Sequence, residues 1–225
     1  MMYDVSEIFG PTIQGEGLHS GRTCIFLRLS GCNLWRKADT PSVTCPWCDT
    51  PQLHNRTPHT TLEILNKLAD LQTVAPFAGL VISGGEPFLQ LQDTLLEECA
   101  EMFPWIDIET NGSVLPNMTD DRPYWASRGG NVFISCSPKL RRLSQVVVKP
   151  SWWKILIPDK INLFKELLQK GVPRHSIYLQ PVEPLDKGET INSPQYHKNM
   201  EQCVQIALVE GCNVCVQLHK YLHLK

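Results

Sequence analysis

The sequence predicts an α/β protein built on a mainly parallel sheet with helices outside it, either open or curled into a partial (β/α) barrel. Three observations lead there. Short apolar, β-branched runs recur along the chain, stretches with helical spacing separate them, and Gly, Pro, Asn, Ser and Lys gather where the runs end. Cys24 to Leu29 reads as a strand, and Leu80 to Ser83 as a second with the continuous apolar character of a buried parallel strand. Between them Leu62, Ile64, Leu65, Leu68 and Leu71 recur at helical spacing behind a capping threonine, Thr60 or Thr61, which completes one βαβ unit. A helix over Leu91 to Met102 follows, then strands at Trp105 to Glu109, Val132 to Ser135 and Trp152 to Ile157. The helix Lys160 to Lys170 stops at Gly171, a C-cap glycine with Pro173 just beyond it. Ser176 to Gln180 is the next strand, Pro194 to Val209 a long helix ended near Gly211, and Asn213 to Leu218 a final strand.

A chain of 225 residues can bury one substantial core, and no Pro/Gly/Ser-rich stretch divides it, so residues 1–225 are expected to form one domain. The formal charge of -2 leaves no broad basic footprint for nucleic acid, which points to a small-molecule partner. The N-terminal run has no basic stretch followed by an apolar core, and nowhere is an apolar run long enough to span a bilayer. A soluble, cytoplasmic protein without a membrane partner is expected. Nine cysteines in such a chain favour thiol or metal chemistry over a disulfide framework.

In parallel α/β folds ligands collect at the carboxyl ends of the strands, where the loops surround a common crevice. Gly31-Cys32, Gly84-Gly85-Glu86-Pro87, Thr110-Asn111-Gly112, Ser137-Pro138-Lys139 and Pro181 all fall there. Cys32, Cys45 and Cys48 form the most informative group. Three thiolates leave one metal coordination position without a protein ligand, and an open position is where a metal centre does chemistry. On spacing alone, Cys45-x-x-Cys48 also fits half of a zinc knuckle with His54 as a further ligand, or a redox or merely buried pair. The Gly-Gly-Glu-Pro run suits main-chain recognition of a charged amino-acid group, because glycines let the backbone approach a ligand closely.

Together the cysteine triad and Gly84-Gly85-Glu86-Pro87 resemble the radical S-adenosylmethionine superfamily. The resemblance implies a [4Fe-4S] cluster on Cys32, Cys45 and Cys48, whose fourth iron binds the amino and carboxylate groups of S-adenosylmethionine. Electron transfer from the cluster would cleave the sulfonium to methionine and a 5′-deoxyadenosyl radical. Twelve residues separate the first two cysteines where the superfamily usually has three, so residues 33–44 are expected to form an enlarged cluster loop. Its closure entropy grows only logarithmically with length, so the insertion is compatible with a cluster.

A narrower resemblance rests on Glu7-Ile8-Phe9-Gly10-Pro11-Thr12-Ile13-Gln14-Gly15-Glu16-Gly17, Arg28, Gly31-Cys32-Asn33-Leu34-Trp35, Cys48-Asp49-Thr50 and the tail Gln217-Leu218-His219-Lys220-Tyr221-Leu222. These resemble the 7-carboxy-7-deazaguanine synthase family, over nearly the whole chain. The resemblance implies a magnesium-dependent lyase that converts 6-carboxy-5,6,7,8-tetrahydropterin to 7-carboxy-7-deazaguanine with loss of ammonia, toward queuosine. It implies a homodimer and an electron-donor protein such as a flavodoxin. Position by position, Trp47, Cys48 and Asp49 would lie at S-adenosylmethionine, as would Gly85, Ser137, Pro138, Lys139, Gln180, Pro181, Val182 and Glu183. Thr50 would bind Mg²⁺, which commonly keeps waters and takes oxygens from its substrate. Ile13, Gln14, Gly15, Glu16, Ser83 and His219 would meet the pterin, Arg28 would clamp its carboxylate bidentately, and the terminal carboxylate of Lys225 would reach into the site. By strand alternation alone, Arg28 points inward or to solvent with equal ease.

Cys24, Cys99, Cys136 and Cys203 sit in apolar patterns and are expected to be small core residues. Cys212-x-x-Cys215 spans a helix end and a strand start, with only His219 as a further ligand nearby. Two rival functions stay open at this point: a glycyl-radical-enzyme activase of the same superfamily, and a non-catalytic zinc-binding module.

Overall fold

A computed structural model describes residues 1–34, 56–116, 130–183 and 191–224. Cys45, Trp47, Cys48, Asp49, Thr50, His54 and Lys225 lie outside the described residues, as does nearly all of the loop 33–44. The described strands form one sheet, in the order β3-β1-β2-β4-β5-β6-β7-β8-β9. They are β1 (Met2–Ile13), β2 (Thr23–Leu29), β3 (Thr57–Thr60), β4 (Gly79–Gly84), β5 (Ile106–Thr110), β6 (Val132–Cys136), β7 (Trp152–Ile157), β8 (Ile177–Pro181) and β9 (Asn213–Val214). From β2 through β9 every neighbouring pair is parallel, while β1 pairs antiparallel with both β2 and β3.

The described helices are α1 (Thr61–Val74), α2 (Asp93–Met102), α3 (Ile161–Gln169), α4 (Pro194–Glu210) and α5 (Leu218–Tyr221). None is long and apolar enough to cross a membrane. Thr60 caps α1: its hydroxyl accepts the Glu63 amide at 3.2 Å while the Glu63 carboxylate accepts the Thr60 amide at 2.7 Å. Ser193 caps α4 from one side only, its hydroxyl accepting the Tyr196 amide at 3.1 Å.

Three parts of the expected element order change, the first being the short strand Thr57–Thr60 on the outer side of β1, which was not expected. The strand at Cys24 is the second strand of the chain, because the motif Glu7 to Ile13 belongs to a long strand laid antiparallel against it. The expected last strand shrinks to Asn213–Val214, and Leu218 and His219 belong to α5 instead. These last two differences have separate causes. Pro11, Gly10 and polar residues mask the alternation of β1, and Leu218 turns away from the sheet to bond the Gly15 carbonyl at 2.9 Å.

Alternation sorts the sheet into two faces. Ile25, Leu27, Leu29, Leu80, Ile82, Ile106, Ile108, Ile134, Ile155, Ile157, Ile177 and Leu179 turn outward into the main core, against Ile64, Leu68, Leu95, Leu163 and Leu167 of the helices. The residues between them turn inward: Arg28, Ser83, Asp107, Glu109, Ser135, Lys154 and Gln180. At the amino end of the parallel strands a second cluster of Cys24, Val81 and Trp105, with Phe26 and Phe133, closes the inner face as a floor. The expected core cysteines Cys24, Cys99, Cys136 and Cys203 are all buried.

Candidate active site

The loop from Gln14 to Arg22 joins β1 to β2 and folds under the sheet. Its ends are tied by the Gln14 amide donating to the Arg22 carbonyl at 2.9 Å and the Gly21 amide donating to the Gln14 carbonyl at 2.8 Å. From there it reaches strands far along the sheet. Gln14 Nε2 donates to Glu109 of β5 at 3.3 Å, Glu16 forms an ion pair with Lys154 of β7, and Gln180 Nε2 of β8 donates to Glu16 at 3.2 Å. Contacts from one loop to three such separated strands require the sheet to curl around it, which makes an open, partial barrel.

The centre of this barrel is polar and buried. Glu16 and Lys154 keep only 12 % of their side-chain surface, so each charge depends on the other for compensation. Burial alone would push the Glu16 carboxyl up, but the Lys154 ammonium and its hydrogen bond, with His219 and Gln217, outweigh it and hold the group at about 2. Lys154 moves upward: the loss of solvent opposes its charge, and Glu16 and Glu109 override that loss. Both groups are therefore ionised at neutral pH. Cys215 completes the cluster, its sulfur accepting the Gly17 amide at 3.0 Å and lying 3.4 Å from Gln180 Oε1. Burial, with Glu16 nearby, pushes this thiol up to about 12. Cys212 instead packs against the main core, so the two cysteines of the second C-x-x-C have different surroundings.

At the carboxyl ends of the strands the Gly-Gly-Glu-Pro turn is fixed by its own backbone. The Gly85 amide donates to the Leu29 carbonyl at 3.2 Å and the Glu86 amide to the Gly31 carbonyl at 2.9 Å. A Cβ on Gly84 would sit 2.1 Å from the Leu29 oxygen, so only glycine lets β4 leave the sheet here. Glu86 has no exposed surface and accepts from the Phe88 amide at 3.1 Å, the Thr110 hydroxyl at 2.8 Å and the Asn111 amide at 2.8 Å. Its burial raises its pKa against those three donors, and its work is to brace the ends of β4 and β5. With the Gly85 amide committed, the Gly85 carbonyl is the group suited to an ammonium.

The other sequence-predicted residues sort as follows. Arg28 and Ser83 face each other across β2 and β4 on the inner face, and Arg28 Nε donates to Glu7 at 2.9 Å, which orients the guanidinium fork. Ser137 and Pro138 are buried at the end of β6, where Lys139 Nζ donates to the Ser137 hydroxyl at 3.0 Å. Ile13 ends β1, Pro181 ends β8, the Val182 amide bonds the Ile157 carbonyl at 2.8 Å, and Glu183 pairs with Lys220. His219 packs on Gly15 so closely that a Cβ there would lie 2.0 Å from its Nδ1. Cys32 lies at the mouth, with its sulfur 4.0 Å from Asn111 Nδ2.

The sequence assigned no site role to Asp107, Glu109 or Lys154; Glu7 entered only as part of the N-terminal motif, and Cys215 only as half of a second C-x-x-C. A signal for the first three was present: Asp107 and Glu109 two apart in Ile106-Asp107-Ile108-Glu109, and Lys154 in Trp152 to Ile157, are charges on alternate positions of apolar strands. That pattern marks the inside of a barrel.

The donor set fits the groups that the resemblance implies. A thiol at the mouth suits a cluster; a buried mixture of carboxylate, ammonium, amides and a guanidinium below it suits a polar, carboxylated heterocycle. Among the described residues the inward Ser135 Oγ and Trp152 Nε1 are buried without a hydrogen-bond partner, as a polar ligand chamber allows. The fold is similar to that of the crystal structure of QueE from Escherichia coli, with a TM-score of 0.64 at 23% identity over 97% of this chain and 95% of that one. No family model matches the chain. It is 40% identical over 243 aligned residues to the 7-carboxy-7-deazaguanine synthase of Burkholderia multivorans, covering 100% of both chains. The chain belongs to the 7-carboxy-7-deazaguanine synthase family. The family's member in Caulobacter vibrioides is 32% identical, again over 100% of both chains. Membership in the 7-carboxy-7-deazaguanine synthase family makes the chain an enzyme and decides against the zinc-binding module and the activase.

Proposed function

We propose that this chain converts 6-carboxy-5,6,7,8-tetrahydropterin to 7-carboxy-7-deazaguanine with loss of ammonia, as a radical S-adenosylmethionine lyase toward queuosine. The full-length match at 40% identity carries the reading, and a barrel interior whose buried polar groups suit a carboxylated pterin supports it. Cys32, Cys45 and Cys48 would hold a [4Fe-4S] cluster. Trp47, Cys48, Asp49, Gly85, Ser137, Pro138, Lys139 and Gln180 to Glu183 would hold S-adenosylmethionine, and Thr50 would contribute an oxygen to Mg²⁺. Bound there, the cluster and S-adenosylmethionine would supply radical chemistry for hydrogen abstraction.

The chain's own residues bind and orient. Glu16, kept ionised by Lys154, accepts N–H groups of the aminopyrimidine edge, as a charged acceptor in a low-dielectric site does strongly. Gln14 and Gly15 offer amide and main-chain groups beside it, with Ile13 against the ring and His219 packed on Gly15. Arg28, with Nε held by Glu7, turns its two terminal nitrogens to the substrate carboxylate next to Ser83. The Trp105 floor excludes water from below. A homodimer and one-electron supply from a small redox protein such as a flavodoxin belong to this proposal, on the resemblance alone.

The test is mass spectrometry of an anaerobic reaction containing reconstituted protein, S-adenosylmethionine, reductant, Mg²⁺ and the pterin. Formation of 7-carboxy-7-deazaguanine is the expected result. 5′-Deoxyadenosine without that product would leave the cofactor chemistry standing and overturn the substrate.

A further inference from the structure

The barrel floor holds a buried pair that the proposed chemistry does not use. Asp107, on the inner face of β5, has no exposed surface, and both its oxygens lie 2.9 Å from Nδ1 of His19, which is itself 5 % exposed. The His19 ring stacks on Trp105 with centroids 4.2 Å apart and meets Phe133 edge-on at 4.9 Å, while the Arg22 guanidinium lies 5.2 Å from the Trp105 ring centre. A carboxyl group this deep is costly unless it is bonded: burial raises its pKa, and the hydrogen bond and charge of His19, the Gln14 side-chain amide and the Arg22 charge oppose that rise.

The pair's position in the chain is what gives it a role. His19 belongs to the short 3-10 turn Gly17–His19 at the tip of the same loop that carries Gln14, Gly15 and Glu16. Asp107 and Glu109 are two apart on β5, so they share the inner face. Gln14 engages both of them, bonding Glu109 at 3.3 Å and contributing to the stabilisation of Asp107. We propose that His19 and Asp107 form a latch that positions the substrate loop: the Nδ1–H bond fixes the loop tip to the barrel floor and so sets Gln14 and Glu16 at the height where they meet the pterin. His19 and Asp107 are positioning residues, not catalytic ones. This rests on the assignment of Gln14 and Glu16 to the pterin. It adds a requirement that the assignment alone does not contain.

Three variants of the full-length, reconstituted protein test it. H19F keeps a ring against Trp105 and removes the donor; H19N places an amide N–H near the position of Nδ1; D107N removes the charge from the other side. H19F and D107N are expected to raise KM for 6-carboxytetrahydropterin roughly tenfold, the scale of one lost charge-assisted hydrogen bond, with kcat at saturating substrate little changed. H19N is expected to restore KM to near the wild-type value. Hydrogen exchange on the protein without added substrate should show the Gln14 and Gly21 amides opening faster in H19F and D107N than in wild type or H19N. An unchanged KM in H19F or D107N overturns the latch, as does a fall in kcat with KM unaltered, or H19N as impaired as H19F. Should H19F not fold, D107N decides by the same criteria. If wild type fails to use the pterin while exchange still separates the variants as stated, the substrate assignment has failed and the loop latch stands.

Discussion

Lys154 and Glu16 show how a single residue can be central to a site and absent from any motif. Lys154 lies in the strand Trp152–Ile157, where a helix-facing position would forbid a charge, and its ammonium is accommodated because it faces inward to a carboxylate. Breaking such a pair from one side strands the other charge, so K154M should cost roughly 3–5 kcal/mol in denaturant unfolding. The double variant E16Q/K154M should be less destabilised than K154M; a double variant that is worse would show that the pair is not the source of the loss. Acid offers a second handle. With its carboxyl at about 2 against an ordinary 4.5, Glu16 holds fewer protons folded than unfolded. Its stabilisation is complete above the unfolded value and is lost as pH falls from about 4.5 toward about 2. The stability difference between wild type and E16Q should therefore shrink over that interval. A constant difference would mean that Glu16 does not titrate there.

At the scale of the element, two glycines with nearly the same left-handed backbone separate conformational cost from crowding. Gly17 has φ +69 and a Cβ there would meet Trp152 Cη2 at 1.8 Å, whereas Gly171, after α3, has φ +73 and nothing within 4 Å. G171A should cost about 1 kcal/mol, the penalty of that conformation for an L-residue. G17A adds a collision with a buried indole and should cost roughly 3 kcal/mol or more, read as a lower denaturation midpoint. Equal costs would place the Gly17 turn away from Trp152. The contrast also marks what could be read from the chain. Gly171 with Pro173 announced a helix end, because that signal is local. Gly17 carries the same residue type for a reason 135 positions away (152 − 17), and a single sequence gives no local sign of it. Likewise the parallel strands and their polar ends were legible from periodicity, whereas β1, with two bulged registers against β2, was not.

For the whole molecule the decisive property is that an open sheet is closed from inside by one loop and sealed by the last helix. The loop reaches β5, β7 and β8, and α5 then docks on it through the Leu218 amide to the Gly15 carbonyl at 2.9 Å and the His219 ring over Gly15. The predicted substrate residues come from the loop carrying Gln14, Gly15 and Glu16, from β1, β2 and β4, and from α5, so their convergence depends on curvature, which no local pattern encodes. Arg28 illustrates this: alternation allowed either face, and only the curled sheet with Glu7 beside it selects the inner one. Gly15 is the contact point of loop and helix, with no room for even a methyl group. G15A should therefore push α5 from the barrel without breaking the sheet, because the main core lies on the opposite face. Hydrogen exchange should show the Leu218 amide losing protection while the amides of β4 and β5 keep theirs. Protection lost uniformly would mean that the seal and the sheet are one cooperative unit, and that the C-terminal helix holds the barrel's curvature rather than resting on it.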